Sequence, residues 1–542
     1  MHHRTRTSPC RARRNAAAAG ARERGYGGLV ALMLIATVAT TTALFAYSRT
    51  DTVHVENERV TREALAAAKL ALIGYAVQGR GPTERPGELP CPDADGDGMA
   101  ESSCTTNASL LGRLPWKTLG VPQLVDGAGE PLWYALSSHF RPVSGPPSPT
   151  QRINSDTRGT ITVRAADGST ALTDNAVAVL FAPGAALGSQ NRSGGTTLLH
   201  FVSCTLSGIT NLLSRQQCVT NYLDAALNTN NSASATGPFI AAATSDTFND
   251  KLLYLETAEL IPLVEQRVGT EIKNLLTEYR LKSNCQCYPW ADTWPYSGGI
   301  ADVSQNRGRF PTEPVPENWG SGSIPSLPAW LGDNNWHNLV WYSVSRRASA
   351  DPGGCRTCSA NATLTVGDLK VAAVFFMPGT PPDGQARVPP ISYSSGLTSA
   401  QRARADNLNL YLDDAQNTDS DNANCPDTGE IGGDAGWGLR TGAATCDQYA
   451  APTSARRDRD RIHVLGPAYP GTCEKNGKLL ASAAPCGTAW TVTNPTCIAA
   501  MPTLDACGCA AAARILARPP CNNVLNPGQC QTAIAQLNAC TP

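Results

Sequence analysis

Charge is scarce in this sequence: Asp, Glu, Lys and Arg make up only 16% of its 542 residues, and 44 basic residues nearly cancel 45 acidic ones. A chain so balanced has no field with which to hold a polyanion, so nucleic acid is not expected as a partner. Histidine is scarcer still. Beyond an N-terminal block only His54, His139, His200, His337 and His463 remain, and none sits in a nucleophile or metal motif. Gly-x-Ser-x-Gly, His-Glu-x-x-His and a phosphate-cradling glycine loop are all missing. Triads assemble from distant residues, so this absence weighs only modestly against an enzyme, but it assigns no catalytic residue.

Glycine and proline, by contrast, are plentiful, at 48 and 39. With abundant Ser, Thr and Asn they point to loop-rich, strand-containing extracellular domains. The chain is too long for one core and should form two or more domains. It has 19 cysteines. Loss of Cys10 with a leader would leave an even number, which in an exported chain reads as disulfides in an oxidising compartment. Proximity alone suggests Cys91 with Cys104, Cys204 with Cys218, and Cys425 with Cys446. Cys355-Arg356-Thr357-Cys358, with Cys285 and Cys287 upstream, could form a zinc or redox site, but plain disulfides suit an exported chain better.

The N-terminus is the most polarised stretch. Seven arginines (Arg4, Arg6, Arg11, Arg13, Arg14, Arg22, Arg24) are opposed by one acid, Glu23, and residues 26–48 then carry no charge. That is enough apolar helix to cross a bilayer, which takes about 20 residues. The arginines would hold the N-terminus in the cytoplasm. From Asp51 to Val77 no proline intervenes, so the helix should continue into water, about 75 Å in all for residues 26–78. Leu65, Ala68, Leu72 and Tyr75 make an apolar stripe in the outer half.

A basic leader ending in Gly25, then Tyr26-Gly27-Gly28-Leu29-Val30 and an unbroken helix, resembles the type IV pilin-like proteins: pilins, minor pilins and type II secretion pseudopilins. The resemblance implies a prepilin peptidase cut between Gly25 and Tyr26, anchorage in the inner membrane with the bulk in the periplasm, and later passage to a filament or the cell surface. It implies other pilin-like subunits as partners. Val30 stands where most of the family has glutamate, a departure found in minor members thought to occupy the filament tip. Two other readings of the stretch stand beside it. Thr41-Thr42-Ala43 offers an ordinary signal-peptide cut, and an uncleaved anchor would need no cut at all.

Further along, landmarks recur in order. Leu89-Pro90-Cys91-Pro92, Gly112-Arg113-Leu114-Pro115, Leu132–Ser137, Val177–Gly184 and Tyr222-Leu223-Asp224 are answered by Cys285, Cys287 and Pro289, Gly308-Arg309-Phe310-Pro311, Leu339–Ser345, Val371–Gly379 and Tyr411-Leu412-Asp413. Lys251–Lys282 is expected to be helical, opening the second copy. The fold expected is therefore α+β: a long N-terminal helix, part membrane and part soluble, packed on antiparallel sheet, duplicated in tandem. Its divisions are a leader (1–25), the helix (26–78), two modules (79–250 and 251–470) and a cysteine-rich cap (471–542). Eight cysteines between Cys473 and Cys540 would staple a segment too small to bury much surface.

Asp93-x-Asp95-x-Asp97-Gly98 is the best local motif. Carboxylates at alternate positions of a tight loop can converge on one cation, and calcium, with six to eight oxygen ligands at flexible angles, is the ion expected. The carbonyl of Met99 and the side chain of Glu101 would complete the set. Position twelve is Cys104 rather than glutamate, so this is no EF-hand. Asn417, Asp419, Asp421 and Asn424 form a weaker oxygen-rich loop. Trp290, Trp294, Trp319, Trp330, Trp336 and Trp341 cluster in the second copy. They either fill a loop-rich core or form an aromatic surface for a carbohydrate or protein ligand. A pilin-like tip subunit is the function these features suggest. A calcium-stabilised adhesin or binding protein outside any filament is the alternative.

Overall fold

The computed structural model describes residues 53–78, 85–195, 197–226, 229–283, 287–292, 307–313, 317–344, 364–366, 369–381, 387, 410–412, 448–449, 461–465 and 469–470, with the isolated residue 37. The first element, α1, spans 53–77. Ala64, Leu65, Ala68, Leu72 and Ala76 recur at one-, three- and four-residue steps and are all buried, the stripe that seats a helix on a core. Its opening turns face water and are laced by ion pairs from Arg59 to Glu56 and Glu63, at 2.5 and 2.6 Å. Three alanines in the stripe let the helix backbone lie close to what it covers.

The expected architecture is corrected here. Among the described residues no helix is long and apolar enough to cross a membrane. The long N-terminal helix with membrane and soluble halves is not found, and the single-pass inner-membrane placement that rested on it falls as well. α1 carries Glu56, Glu58, Arg59, Arg62 and Glu63 within two turns, far more charge than a bilayer core tolerates. Eighteen strands stand against three α-helices among the described residues, whose regular structure is thus mostly sheet. The uncharged run, with Gly25 and Tyr26, lies outside the described residues except for residue 37, and so does the whole cap.

The first sheet contains β1 (Leu111–Arg113), β2 (Trp133–Leu136), β3 (Ile161–Ala165) and β4 (Ala171–Ala182). β4 is its centre: Ala178–Phe181 pairs with β2 on one edge, and Ala176 to Ala182 lies opposite a later strand on the other. Residues Ala176 through Ala182 are buried without a break, as expected of a strand covered on both faces. β5 (Phe201–Leu206) and β6 (Ile209–Ser214) form a separate hairpin. Its two-residue turn, Ser207-Gly208, has positive φ at both positions (50° and 78°), the backbone a type I′ turn requires. β7 (Ala225–Ala226) and β8 (Thr229–Asn230) make a short ladder. β9 (Phe239–Ala241) joins β3 in parallel, and β10 (Lys251–Glu256) completes the sheet on β4.

β10 runs without a loop into α2 (Thr257–Lys282). The expectation of helix from Lys251 is thus wrong by its first six residues. Glu256 closes the strand and opens the helix, its N–H bonded to the Glu259 carboxylate at 3.0 Å. Leu260, Ile261, Val264, Val268, Ile272, Leu276 and Tyr279 are buried along α2. The helix packs on β4 and β10 and also on a strand of the second sheet.

That second sheet is β11 (Arg307–Arg309), β12 (Trp341–Val344), β15 (Ala373–Met377) and β17 (Arg461–Leu465), antiparallel throughout. The short helix α3 (Ala329–Asp333) lies between β11 and β12 in sequence. β13 (Leu364–Val366), β14 (Leu369–Val371), β16 (Gln448–Tyr449) and β18 (Tyr469–Pro470) form a third, smaller sheet.

Individual contacts recur between the halves. Asp93 and Arg113 exchange backbone hydrogen bonds, and so do Asp292 and Arg309. Tyr134 Oη donates to the Pro90 carbonyl at 3.2 Å, and Tyr342 Oη to that of Pro289 at 3.0 Å. Arg192 reaches the carbonyl of Gly184, and Arg387 that of Gly379, at 2.6 and 2.7 Å. Each of these arginines stacks over a tyrosine, Tyr222 or Tyr411, and each tyrosine lies against a tryptophan, Trp133 or Trp341. Both glycines sit near φ +60° (62° and 63°), where a side chain would be strained.

Buried polar contacts hold the halves together. The Asn334 carboxamide accepts from the N–H of Ile153 at 2.9 Å, and its backbone carbonyl accepts from Asn154. Glu265, on α2, accepts from Ser155 Oγ and pairs with Arg461. Asp156 pairs with Arg387 at 3.1 Å, both almost fully buried. Burial raises the Asp156 carboxyl above its usual range, while Arg387 pulls it back. Arg387→Ala should therefore cost about 3–5 kcal/mol by stranding a buried carboxylate. Asp156→Asn should cost clearly less, since Arg387 keeps the carbonyls of Pro378, Gly379 and Leu410; denaturant titration of both variants measures this.

Asp224 and Asp250 cap each other. Asp250 Oδ2 accepts from the Asp224 N–H at 2.9 Å, and Asp224 Oδ2 from the Asn249 N–H at 2.8 Å. Burial first, and the Asp224 charge second, push the Asp250 carboxyl up to about 7. A folded-state carboxyl raised in this way holds its proton more tightly than the unfolded chain does. Its contribution to stability is therefore full at acid pH and is lost as pH rises towards and through about 7. Asp250→Asn should raise Tm at pH 8 and have a smaller effect at pH 5, read by calorimetry at both.

Candidate functional site

The loop after Cys91 is built by its own carboxylates. Asp93 Oδ1 accepts from the Gly96 N–H at 2.6 Å and Oδ2 from the Gly98 N–H at 2.8 Å. Asp95 accepts from the Asp97 N–H, and Asp97 from the Met99 N–H. Glu101 returns to accept from the Ala94 N–H at 3.1 Å. Gly96 and Gly98 have φ of +84° and +87°, positions that favour glycine. The Cys91–Cys104 disulfide, Cα atoms 5.7 Å apart, closes the loop at its base. Gln217 and Lys117 donate to the carbonyls of Asp95 and Asp97, tying the loop to its surroundings.

Of the five ligands expected, three meet. Carboxylate oxygens of Asp93, Asp95 and Glu101 lie within 4.8 Å of one another, a grouping of the size a hard cation takes. Asp97 is not among them; its carboxylate accepts from the Met99 N–H. The Met99 side chain is half exposed. Burial raises the Asp93 carboxyl above its usual range; the N–H groups of Gly96 and Gly98 oppose this, and the charges of Asp95 and Asp97 add to it.

Beside the loop lies a cleft of about 360 Å³, walled by β1 on one side and by the β5–β6 hairpin on the other. The second disulfide, Cys204–Cys218, ties the hairpin down. Alternation along the hairpin turns Leu206, Ile209 and Leu213 to the cleft, where Leu111 and Trp133 face them. Arg113 closes one end. Its Nη2 donates to the Gln216 carbonyl at 2.5 Å and to Tyr222 Oη at 3.1 Å. In the sequence Arg113 and Tyr222 stand out only as landmarks of the repeat, and the hairpin does not stand out at all. Ser-Gly between two alternating apolar runs was the available signal.

The other expected sites divide between the described residues and those outside them. Cys287 is disulfide-bonded. Cys425, Cys446, Cys285, Cys355, Cys358 and the oxygen-rich stretch 417–424 lie outside. Trp290, Trp330, Trp336 and Trp341 are buried, and the half-buried Trp319 donates to the Pro311 carbonyl at 2.9 Å. These five pack the second half rather than forming an aromatic platform; Trp294 lies outside. Burial pushes His337 and His463 down to about 4, and His463 stacks on Phe375. His139 bonds the Arg158 carbonyl, and His200 bonds Thr197.

No known family model matches the chain, and neither a curated protein nor a solved structure is similar enough to carry an argument about the fold or the site. None of these comparisons ties it to the type IV pilin-like proteins. The loop must be read from its own geometry. A Cβ at Gly98 would lie 2.6 Å from Trp116 Nε1 at a φ of +87°. Gly98→Ala should therefore cost about 1–3 kcal/mol and alter Trp116 fluorescence, whereas Ala100→Gly should leave that fluorescence unchanged.

Proposed function

We propose that the chain is a pilin-like building block, a minor and tip-placed subunit of a type IV pilus or type II secretion pseudopilus. The observation that carries the reading is the recurrence, within one chain, of an antiparallel sheet with matching tyrosine, arginine and tryptophan contacts. Two such lobes are bulky, which favours the end of a filament over repetition along a thin shaft. The Asp126 turn, whose carboxylate accepts from the Ala128 and Glu130 N–H groups, leads into the aromatic β2, an arrangement that resembles the Asp/Gly turn and aromatic strand of pseudopilins. Val30 in place of glutamate suits a subunit with no neighbour ahead of it. Partners on this reading are other pilin-like subunits and a prepilin peptidase. Mass spectrometry of the mature N-terminus, with and without that peptidase, tests it. A cut between Gly25 and Tyr26 that depends on the peptidase is expected; a cut after Ala43, or an intact N-terminus, rejects the reading.

The acidic loop supports a second reading, a calcium-stabilised binding protein outside any filament. Asp93, Asp95 and Glu101 would supply the carboxylates. Calcium is favoured over magnesium because the loop offers no near-octahedral set of fixed ligands. Calcium should raise the Tm of the parent protein and leave that of Asp95→Ala unmoved. A rise that survives the substitution would remove the loop from the account.

A further inference from the structure

Three properties of the cleft beside the acidic loop bear on what it holds. Its walls are aliphatic, with Leu111 on the sheet side and Leu206, Ile209 and Leu213 on the hairpin. Its mouth borders the loop that carries Asp93, Asp95 and Glu101, the last two reaching solvent. The nearby cations offset that charge only in part: Arg113, beside Gly96, and Lys117, on the Asp97 carbonyl, are two against the four carboxylates of Asp93, Asp95, Asp97 and Glu101. Finally, Trp133, only 2% exposed, lines the cleft and lies against Tyr222.

We infer that this cleft binds a short peptide segment in which an apolar side chain is flanked by lysine or arginine. The apolar side chain fills the space between β1 and the hairpin. The flanking cation faces Asp95 and Glu101. A sugar would leave the aliphatic walls and the acids unanswered, and a fatty chain would meet the walls alone. The volume, about 360 Å³, is at the low end for a ligand site and suits one or two side chains rather than a folded partner. The inference stands apart from the filament reading, because it concerns the first lobe alone and survives whatever the N-terminus does.

Titration calorimetry of the full chain with acetyl-Lys-Leu-Lys-Ile-Lys-amide, at low salt and without calcium, tests it. The peptide with each Lys replaced by Glu is the control. Binding of the basic peptide alone is expected. Asp95→Asn with Glu101→Gln, which keep the loop's accepting oxygens, should weaken it at least tenfold without a matching fall in Tm. Ile209→Lys, at a half-exposed position, should weaken it independently by placing a cation at the mouth. Equal binding of both peptides, no binding of either, or binding untouched by these substitutions would overturn the assignment. Capture of an acetylated sugar oligomer in place of the peptide would overturn it too.

Discussion

The structure depends on burying both sides of one strand and one helix that the chain makes back to back. β10 completes the first sheet on β4, and at Glu256 the same backbone turns into α2 without a loop. The helix is therefore not free to choose its position. Its apolar stripe packs against β4 and β10 on the side it comes from, and against β17 of the second sheet. A junction with no slack transmits the geometry of one half to the other, and buried Glu265 and Asp156 fix what the apolar contacts leave free. Because those carboxylates are desolvated, their partners Arg461 and Arg387 give the seam registry more than net stability.

Part of this was legible in the residues. The spacing of Cys91 and Cys104, and of Cys204 and Cys218, pointed to the two disulfides that the structure forms. β3 and β4 lie where β-branched and apolar runs end in turn residues. The boundary at Glu256 was not legible. Lys251-Leu252-Leu253-Tyr254-Leu255-Glu256 satisfies a helical stripe as well as an alternating one, and no glycine or proline interrupts it. Pairing with β4 decides the matter, and pairing is a long-range fact. The same limit explains the misjudged N-terminus. The uncharged run invites a rod reaching from lipid into water, yet the described helix begins with a charged surface and settles into a core beside sheet.

The acidic loop illustrates a different limit. Sequence spacing suggested that Asp93, Asp95 and Asp97 point at one centre, but each carboxylate first answers to the nearest N–H. Asp97 accepts from Met99 and stands apart, while Glu101, expected from its spacing, does come beside Asp93 and Asp95. Local side-chain-to-backbone bonds of this kind form without any ligand and compete with convergence. They also hold the loop in shape, so whatever meets the three carboxylates finds them already placed and forfeits little ordering entropy.

Comparison of the halves separates scaffold from chemistry. Asp292 keeps the backbone exchange with Arg309 that Asp93 makes with Arg113, so that aspartate position serves the sheet edge in both. The residues after Asp292 are Thr293, Trp294 and Pro295, with no carboxylate to stand for Asp95 or Asp97. The second half thus retains the strand pairing without the acidic loop. It follows that the fold does not require the loop's charge, and that gathering three carboxylates at one cleft costs the first lobe electrostatic repulsion its counterpart does not pay. A feature that the scaffold can dispense with, and in which burial first and neighbouring charge second raise the Asp93 carboxyl, is where a ligand's contribution would offset a cost already built in.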